Sequence, residues 1–323
     1  MKALITGAAG FIGSHLVNRV LLQTDWEIVI LDKLSYAARG FDRLHEIGVF
    51  ENKRVKVLTH DLAYPMSDGM RREIRSPDYI FHLAAESHVD NSVEEPLEFV
   101  QSNVVGTAQL LEYARTLWDL KLFIYFSTDE VFGPAINRAF EPFDRHNPHN
   151  PYAATKSAGE QLATAWEHAY KIPVQVVHCM NVFGERQHPE KFIPKVMKRL
   201  MELKTVEVYT DENGVVGSRY YIHADDVAKI LIDIAENPTG QLKENIGGVC
   251  EIDNYDMANF IADVMGINIK CEHRSFDLGK SCHDIRYELD PTLLAFWTTE
   301  EQMYEQLRQT IKWTAAHPGW LEW

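Results

Sequence analysis

Cysteine is scarce in this chain: four residues in 323, at Cys179, Cys250, Cys271 and Cys282, with no Cys-x-x-Cys pair among them. That spacing speaks against a zinc knuckle or a thioredoxin-like dithiol and leaves buried free thiols as the expected state. The fourteen histidines are scattered, with no His-Glu-x-x-His or comparable ligand array, so no metal is expected. Long apolar runs are missing too. Nothing approaches the roughly 20 residues of a membrane span, and Gly7 ends the apolar run after Met1 too early for a secretory signal. A cytoplasmic protein is expected. Positive charge is in deficit, the formal net charge being −15, which argues against nucleic acid or anionic membrane as a general partner, although a local basic pocket for a diphosphate stays compatible with it. No internal repeat or low-complexity linker is present. What remains, 46% hydrophobic and 24% charged residues, is the composition of a soluble globular protein with one large domain or two ordinary ones.

Strand-like apolar runs recur at 3–6, 28–31, 55–58, 79–83, 123–126 and 174–177, separated by helical patterns or long connections. Runs that are apolar on both faces belong to a parallel sheet with helices on each side, an α/β, doubly wound architecture. Two amphipathic helices stand out, at about 97–117 and 152–170, the second with Pro151 at its start, where proline is tolerated. Past Phe183 the alternation becomes irregular, punctuated by Pro189, Pro194, Asn213-Gly214 and Gly247-Gly248, which predicts a smaller lobe beside the sheet. Segment 224–236 reads as helix and 245–247 as strand, a brief return to the first lobe. The expected division is 1–183 with 220–248, and 184–219 with 249–323. A last helix is expected from Thr298, where Thr298 and Glu301 have capping-box spacing, to about Ala316.

Gly7-Ala-Ala-Gly10-Phe11-Ile12-Gly13 follows the first strand and opens a helix. In that context Gly7 permits a tight turn, Gly10 lets the backbone approach a pyrophosphate, and Gly13 allows close helix-to-strand packing, with helix amides facing the anion. Asp32 ends the second strand some twenty residues on, where a carboxylate accepts from ribose hydroxyls and repels a 2′-phosphate, favouring NAD over NADP. Lys33 is adjacent and Arg39 near, which tempers that preference. Asp61-Leu62 after the third strand suits either an adenine border or a helix cap.

Phe123-Ile124-Tyr125-Phe126 reads as a buried strand, so Thr128, Asp129 and Glu130 fall at its carboxyl end, where ligands sit in open α/β sheets. Tyr152 and Lys156 are one helical turn apart. A phenol with a pKa of about 10 is a poor base at neutral pH, but a lysine on the same face stabilises its phenolate.

With Thr6-Gly7-x-x-Gly10-x-x-Gly13 and Tyr152-x-x-x-Lys156, the chain resembles the extended short-chain dehydrogenase/reductases. Within them it is similar to nucleoside-diphosphate-hexose 4,6-dehydratases of the dTDP-glucose type, on Leu31-Asp-Lys-Leu-Ser-Tyr36, His82-Leu-Ala-Ala-Glu86-Ser-His-Val-Asp90, Ser127-Thr-Asp-Glu-Val-Phe-Gly133, Pro189-Glu-Lys-Phe-Ile-Pro194 and His283-Asp-Ile-Arg-Tyr287. Thr128-Asp129-Glu130 is the discriminating stretch, since Tyr-x-x-x-Lys marks only the superfamily. The chain departs from the family pattern where Val182 follows Asn181, at Cys282, and in Arg219-Tyr-Tyr-Ile-His223.

The resemblance implies a Rossmann-like lobe and a smaller C-terminal substrate lobe. NAD would be tightly held, regenerated, and contacted also by Phe11, Ile12, Leu62, Ala84 and Ala85. It implies that Tyr152 takes the O4 proton as hydride leaves C4, with Thr128 bonded to the same oxygen. Glu130 then removes the acidified C5 proton, protonated Asp129 releases the C6 hydroxyl as water, and hydride returns to C6. Glu86, Ser87 and His88 are candidates for the nicotinamide or sugar pocket, and Asn103 for a buried support of the catalytic geometry. Asn181, Lys191, Arg219, His283 and Arg286 are candidates for the diphosphate and nucleoside. The same resemblance implies a homodimer in which the two long helices form a four-helix bundle. Rival readings are a 5,6-dehydratase, a 4-epimerase, a decarboxylase, and a non-catalytic NAD-binding scaffold.

Overall fold

The computed structural model describes residues 1–275, 285–292 and 298–322. The strand-like runs become Lys2–Thr6 (β1), Glu27–Asp32 (β2), Val55–Thr59 (β3), Tyr79–His82 (β4), Leu122–Thr128 (β5) and Val174–Cys179 (β6). Six more follow: Asn181–Phe183 (β7), Val206–Thr210 (β8), Ser218–His223 (β9), Lys243–Ile246 (β10), Glu251–Asp253 (β11) and Cys271–Ser275 (β12). The main sheet has the order β10-β6-β5-β4-β1-β2-β3, and all its neighbours are parallel. The chain winds outward from β1 in one direction and returns past it to β4 in the other, which opens a crevice beyond the strand ends at that switch point.

Adjacent residues of one strand serve different cores. Ile5, Ile28, Ile30, Phe81 and Ile124 point into one apolar layer, and Leu4, Val29, Leu31, Ile80 and Phe123 into the other. This explains the uninterrupted apolar runs. On the first face, the helix Phe11–Gln23 packs against the helix Ala224–Glu236, which returns the chain to the sheet as expected. A third core, with Met197, Leu200, Val208, Ile261, Leu307 and Ile311, belongs to the C-terminal part. There β7, β9 and β11 form one small sheet and β8 and β12 another.

Two helices differ from the sequence expectation. The helix expected over 97–117 starts at Pro96 and ends at Ala114, and Val100–Val105 within it is a π turn. The extra residue lets Asn103 turn inward, where its Oδ1 accepts from Glu86 N at 2.8 Å and its Nδ2 donates to Glu86 O and Thr155 Oγ1, both at 3.0 Å. The last helix is Glu300–Ala316, two residues later than expected at its start, because Thr299 and Gln302, not Thr298 and Glu301, make the capping box. Met303, Leu307 and Ile311 at intervals of four set the phase of that helix toward the core.

The helix Pro151–Tyr170 starts with Pro151 and is capped by Asn150, whose Oδ1 accepts from Ala153 N at 2.8 Å. It lies close against the sheet and the π turn. A methyl group on Gly159 would stand 2.4 Å from Tyr125 Oη and 2.9 Å from Asn103 O. Gly159→Ala is therefore expected to destabilise the protein by about 1–3 kcal/mol, read as a fall in thermal midpoint. Combining it with Tyr125→Phe, which removes the clashing oxygen, should recover part of the loss. Equal midpoints for wild type and Gly159→Ala would show that helix and strand separate without cost.

Candidate active site

A cavity of about 820 Å³ runs from the glycine turn to the C-terminal lobe. Its first end is lined by Gly7, Gly10, Phe11, Ile12, Gly13, Asp32 and Lys33, and its flank by Asp61, Leu62, Ala84 and Ala85. Gly7 has φ +71°, and a Cβ there would stand 2.7 Å from the Ala84 backbone; one on Gly13 would stand 2.3 Å from Gly7 O. No side chain fits either place, and the turn is tight enough to bring the helix amides to the cavity. Asp32 accepts from Ala9 N at 2.9 Å and Leu34 N at 2.8 Å. Burial raises its pKa against the pull of those amides. Lys33 pairs with Glu86 at 2.7 Å, and Asp61 caps its own turn at Ala63 N, 2.9 Å, while both still face the cavity. A glycine cradle at a helix start, an acid at the end of β2 and apolar flanks fit an adenine dinucleotide.

Thr128, Asp129, Glu130, Tyr152 and Lys156 meet at the middle of the cavity. Thr128 Oγ1 donates to Asp129 Oδ1 at 2.9 Å and pulls the pKa of the Tyr152 phenol down. Asp129 Oδ2 is buried with no partner among the described residues. Burial, and then the neighbouring Glu130, push the Asp129 carboxyl up to about 7. Glu130 accepts from Asn150 Nδ2 at 2.9 Å. The Tyr152 phenol is pushed above its ordinary range by burial and then by Glu130 and Asp129, against the Thr128 hydrogen bond. Lys156 is buried, donates to Phe126 O at 2.6 Å, and is brought down to about 7 by burial, with Glu160 acting the other way. The arrangement sets a carboxyl raised toward the neutral form beside a second acidic side chain, and a phenol one helical turn from a lysine, so groups able to give and to take protons share one pocket.

The substrate candidates divide. Ser87, His88, Asn181, Lys191 and Arg219 line the cavity. Lys191 donates to Ser87 O at 3.1 Å, and Arg219 lies over the Tyr287 ring with 4.7 Å to its centroid. Glu86 and Asn103 are buried behind the wall, where they hold each other. Arg286 is outside the lining, tied to Glu251 at 2.7 and 3.0 Å and to Glu288 at 2.7 Å. An arginine flanked by acids is satisfied before any phosphate arrives. His283 and Cys282 lie outside the described residues, and Cys179, Cys250 and Cys271 are free thiols.

Other wall residues escaped sequence reasoning. Glu190 gathers Tyr36 Oη at 3.3 Å, His188 Nδ1 at 3.3 Å and His88 Nε2 at 3.6 Å. Tyr36 and Glu190 stand inside stretches that carry the resemblance, and only the fold shows that these stretches meet. Arg43 is fully buried beside the glycine turn and donates to the carbonyls of Ala9, Ala37 and Ala38 at 3.3, 2.9 and 3.0 Å. Burial lowers it to about 10. In sequence it is one more arginine on a short polar helix.

The sequence also showed no metal-ligand spacing, yet the fold brings His146, Glu160 and His178 together, their ligating atoms within 4.8 Å of one another. Lys243 Nζ stands 2.7 Å from Glu160 Oε1 and Ser127 Oγ 2.8 Å from Oε2. Both carboxylate oxygens are already engaged, one by a lysine and one by a hydroxyl, so the cluster is an ion-pair network.

Residues 3–247 match the model of the NAD dependent epimerase/dehydratase family. A probable dTDP-glucose 4,6-dehydratase of Sinorhizobium fredii is 35% identical, over 99% of this chain and 94% of that protein. The trifunctional UDP-glucose 4,6-dehydratase/UDP-4-keto-6-deoxy-D-glucose 3,5-epimerase/UDP-4-keto-L-rhamnose-reductase of Arabidopsis thaliana is 34% identical, over 98% of this chain and 48% of that protein. The crystal structure of a dTDP-glucose 4,6-dehydratase from Streptomyces venezuelae with NAD bound superposes with a TM-score of 0.87 at 31% identity, covering 100% of this chain and 99% of the other. The glycine cradle, the acid ending β2 and these likenesses over nearly all of this chain agree, and the chain belongs to the NAD dependent epimerase/dehydratase family.

Proposed function

We propose that the protein dehydrates a nucleoside-diphosphate hexose to its 4-keto-6-deoxy form. The observation that carries this reading is the pair at the end of β5: Asp129 raised to about 7 with a buried oxygen unpartnered among the described residues, beside Glu130 held by Asn150. An oxidation and return at C4 alone needs the phenol and the lysine but not a second acid-base pair. Elimination of water needs both a base and a neutral acid. Gly7, Gly10, Gly13 and Asp32 would hold NAD, which would supply a hydride acceptor for C4 and the hydride for C6. Tyr152 takes the O4 proton while Thr128 bonds the same oxygen, Lys156 favours the phenolate, Glu130 removes the C5 proton, and Asp129 protonates the departing C6 hydroxyl. Ser87, His88, Asn181, Lys191 and Arg219 hold the sugar nucleotide.

The same reading assigns 1–183 with 220–248 to the cofactor lobe and 184–219 with 249–323 to the substrate lobe. It places the protein in the cytoplasm; no helix among the described residues is long and apolar enough to cross a membrane. It also makes a homodimer through a four-helix bundle, supported by Val93, Leu97 and Val100, which are exposed on or before the π-turn helix. A monomeric mass in solution at micromolar concentration would remove the dimer from this reading.

Incubation with a panel of dTDP-, UDP-, CDP- and GDP-hexoses in heavy water tests the activity. The expected product has lost one water and carries solvent deuterium at C5, with NAD regenerated. An isomer of unchanged mass would replace the reading with an epimerase, an unsaturated dehydrated sugar with a 5,6-dehydratase, and silence across the panel with a scaffold. Tyr152→Phe is expected to lower C4 oxidation by roughly 10²–10⁴-fold. Glu130→Gln is expected to oxidise C4, seen as NADH absorbance, and stall before water loss; equal loss of both steps in both variants contradicts the assignment.

Asp129 also makes a stability prediction. Its folded pKa of about 7 lies above the ordinary value of about 3.9, so across that window the native state binds a proton that the unfolded state has lost, and stability falls as pH rises. Asp129→Asn removes this penalty. It should be inactive in elimination yet melt higher than wild type at pH 8, with the difference closing below about pH 4. A gap that does not change with pH would place the Asp129 carboxyl in its ordinary range.

A further inference from the structure

Glu160 is fully buried and lies on the same helix as the reacting phenol and lysine, one turn beyond Lys156 and two beyond Tyr152. Four groups from four separate segments converge on its carboxylate. Ser127 Oγ of β5 donates to Oε2 at 2.8 Å and His178 Nε2 of β6 contacts the same oxygen at 3.0 Å. Lys243 Nζ of β10 stands 2.7 Å from Oε1, and His146 Nε2, from the segment before the helix, 3.2 Å from it. The hydrogen bonds fix the His178 ring. Asn245 Nδ2 donates to Phe140 O at 2.9 Å and Asp290 O at 3.0 Å, so its Oδ1 faces His178 Nδ1 at 3.0 Å as an acceptor. With Nδ1 engaged there, the ring is held with Nε2 toward Glu160.

Ser127 immediately precedes Thr128-Asp129-Glu130. One carboxylate thus joins the strand end that carries three proposed catalytic groups to the helix that carries the other two. We propose that Glu160 is a positioning residue, pinning the end of β5 to the helix of Tyr152 and Lys156 and setting a fixed negative charge one helical turn from Lys156. The proposal rests on the dehydratase reading for its kinetic test. Lys156 is otherwise faced by Tyr125, whose ring centroid is 4.5 Å from Nζ, by Tyr152 on its own helix and by His82 from β4. Asp129 and Glu130 share its pocket from the end of β5. Glu160 is the neighbour whose charge supports the cation, and burial opposes it.

The test uses two variants with opposite signs. Glu160→Gln keeps the shape and removes the negative charge; Lys243→Gln keeps that charge and removes a positive charge that balances it. The rate of C4 oxidation, followed as NADH in a single turnover across pH 5.5–9, should lose its high-pH limb earlier in Glu160→Gln, by about one pH unit for one charge at this range in a partly compensated site. In Lys243→Gln the limb should move the other way, with KM within about twofold of wild type in both, the usual mark of a change confined to the reacting centre. Glu160→Asp should restore the wild-type limb in part. Limbs that move in the same direction, or rates that fall equally at every pH, overturn the proposal. If wild type oxidises no sugar nucleotide, the functional reading fails by itself. The proposal is then decided without substrate by nitrogen NMR titration of Lys156 Nζ in the NAD-loaded protein: a lower midpoint in Glu160→Gln sustains it and an unchanged midpoint ends it.

Discussion

At the carboxyl end of β5 the chain takes Asp129, Lys156 and Glu160 out of water within a short distance, and each such charge costs several kcal/mol unless it is neutralised or paired. The three are handled differently. Asp129 gives up its charge, since burial and Glu130 both favour the neutral carboxyl. Lys156 sits near its balance point, drawn down by burial and supported by Glu160. Glu160 keeps its charge and is held well below the usual carboxylate range, because against the pull of burial His178 and His146 lie beside its carboxylate; Lys243 also pairs with it. An acid, a titratable lysine and a fixed anion follow from one low-dielectric environment and from the partners it supplies.

Much of this was legible in the chain. Parallel strands buried on both faces leave an apolar signature that few other structures share, so the main sheet from β1 to β6 could be located within a residue or two. The glycine turn was readable because its context, strand before and helix after, removes most accidental matches. Thr128, Asp129, Glu130, Tyr152 and Lys156 are close in sequence, and two neighbouring elements suffice to bring them to one cavity.

What was not legible depends on distant segments meeting. The network around Glu160 draws on β5, β6, β10 and the segment before the helix, and no spacing rule connects 127, 146, 160, 178 and 243. Arg286 looked like a phosphate ligand because its acidic partner Glu251 is 35 residues away. Glu86 looked like a pocket residue because the turn after β4 faces the cavity on one side and the π turn on the other. In each case residue type was informative and direction was not.

The π turn itself constrains how this protein can vary. An α-helical span of the same height holds one residue fewer, so the halves Pro96–Phe99 and Gly106–Ala114 are about 100° out of phase with an uninterrupted helix. Leu97 before the turn is exposed, and Leu110 and Leu111 after it are buried. Removing any one residue between 100 and 105 would restore a regular ladder and rotate one half against the other, taking either the outer apolar edge or the Asn103 amide out of its place. Single-residue length changes here are therefore coupled to both the surface and the cleft. A drifting lineage can substitute freely at many of these positions, but it can change their number only by rebuilding both faces at once.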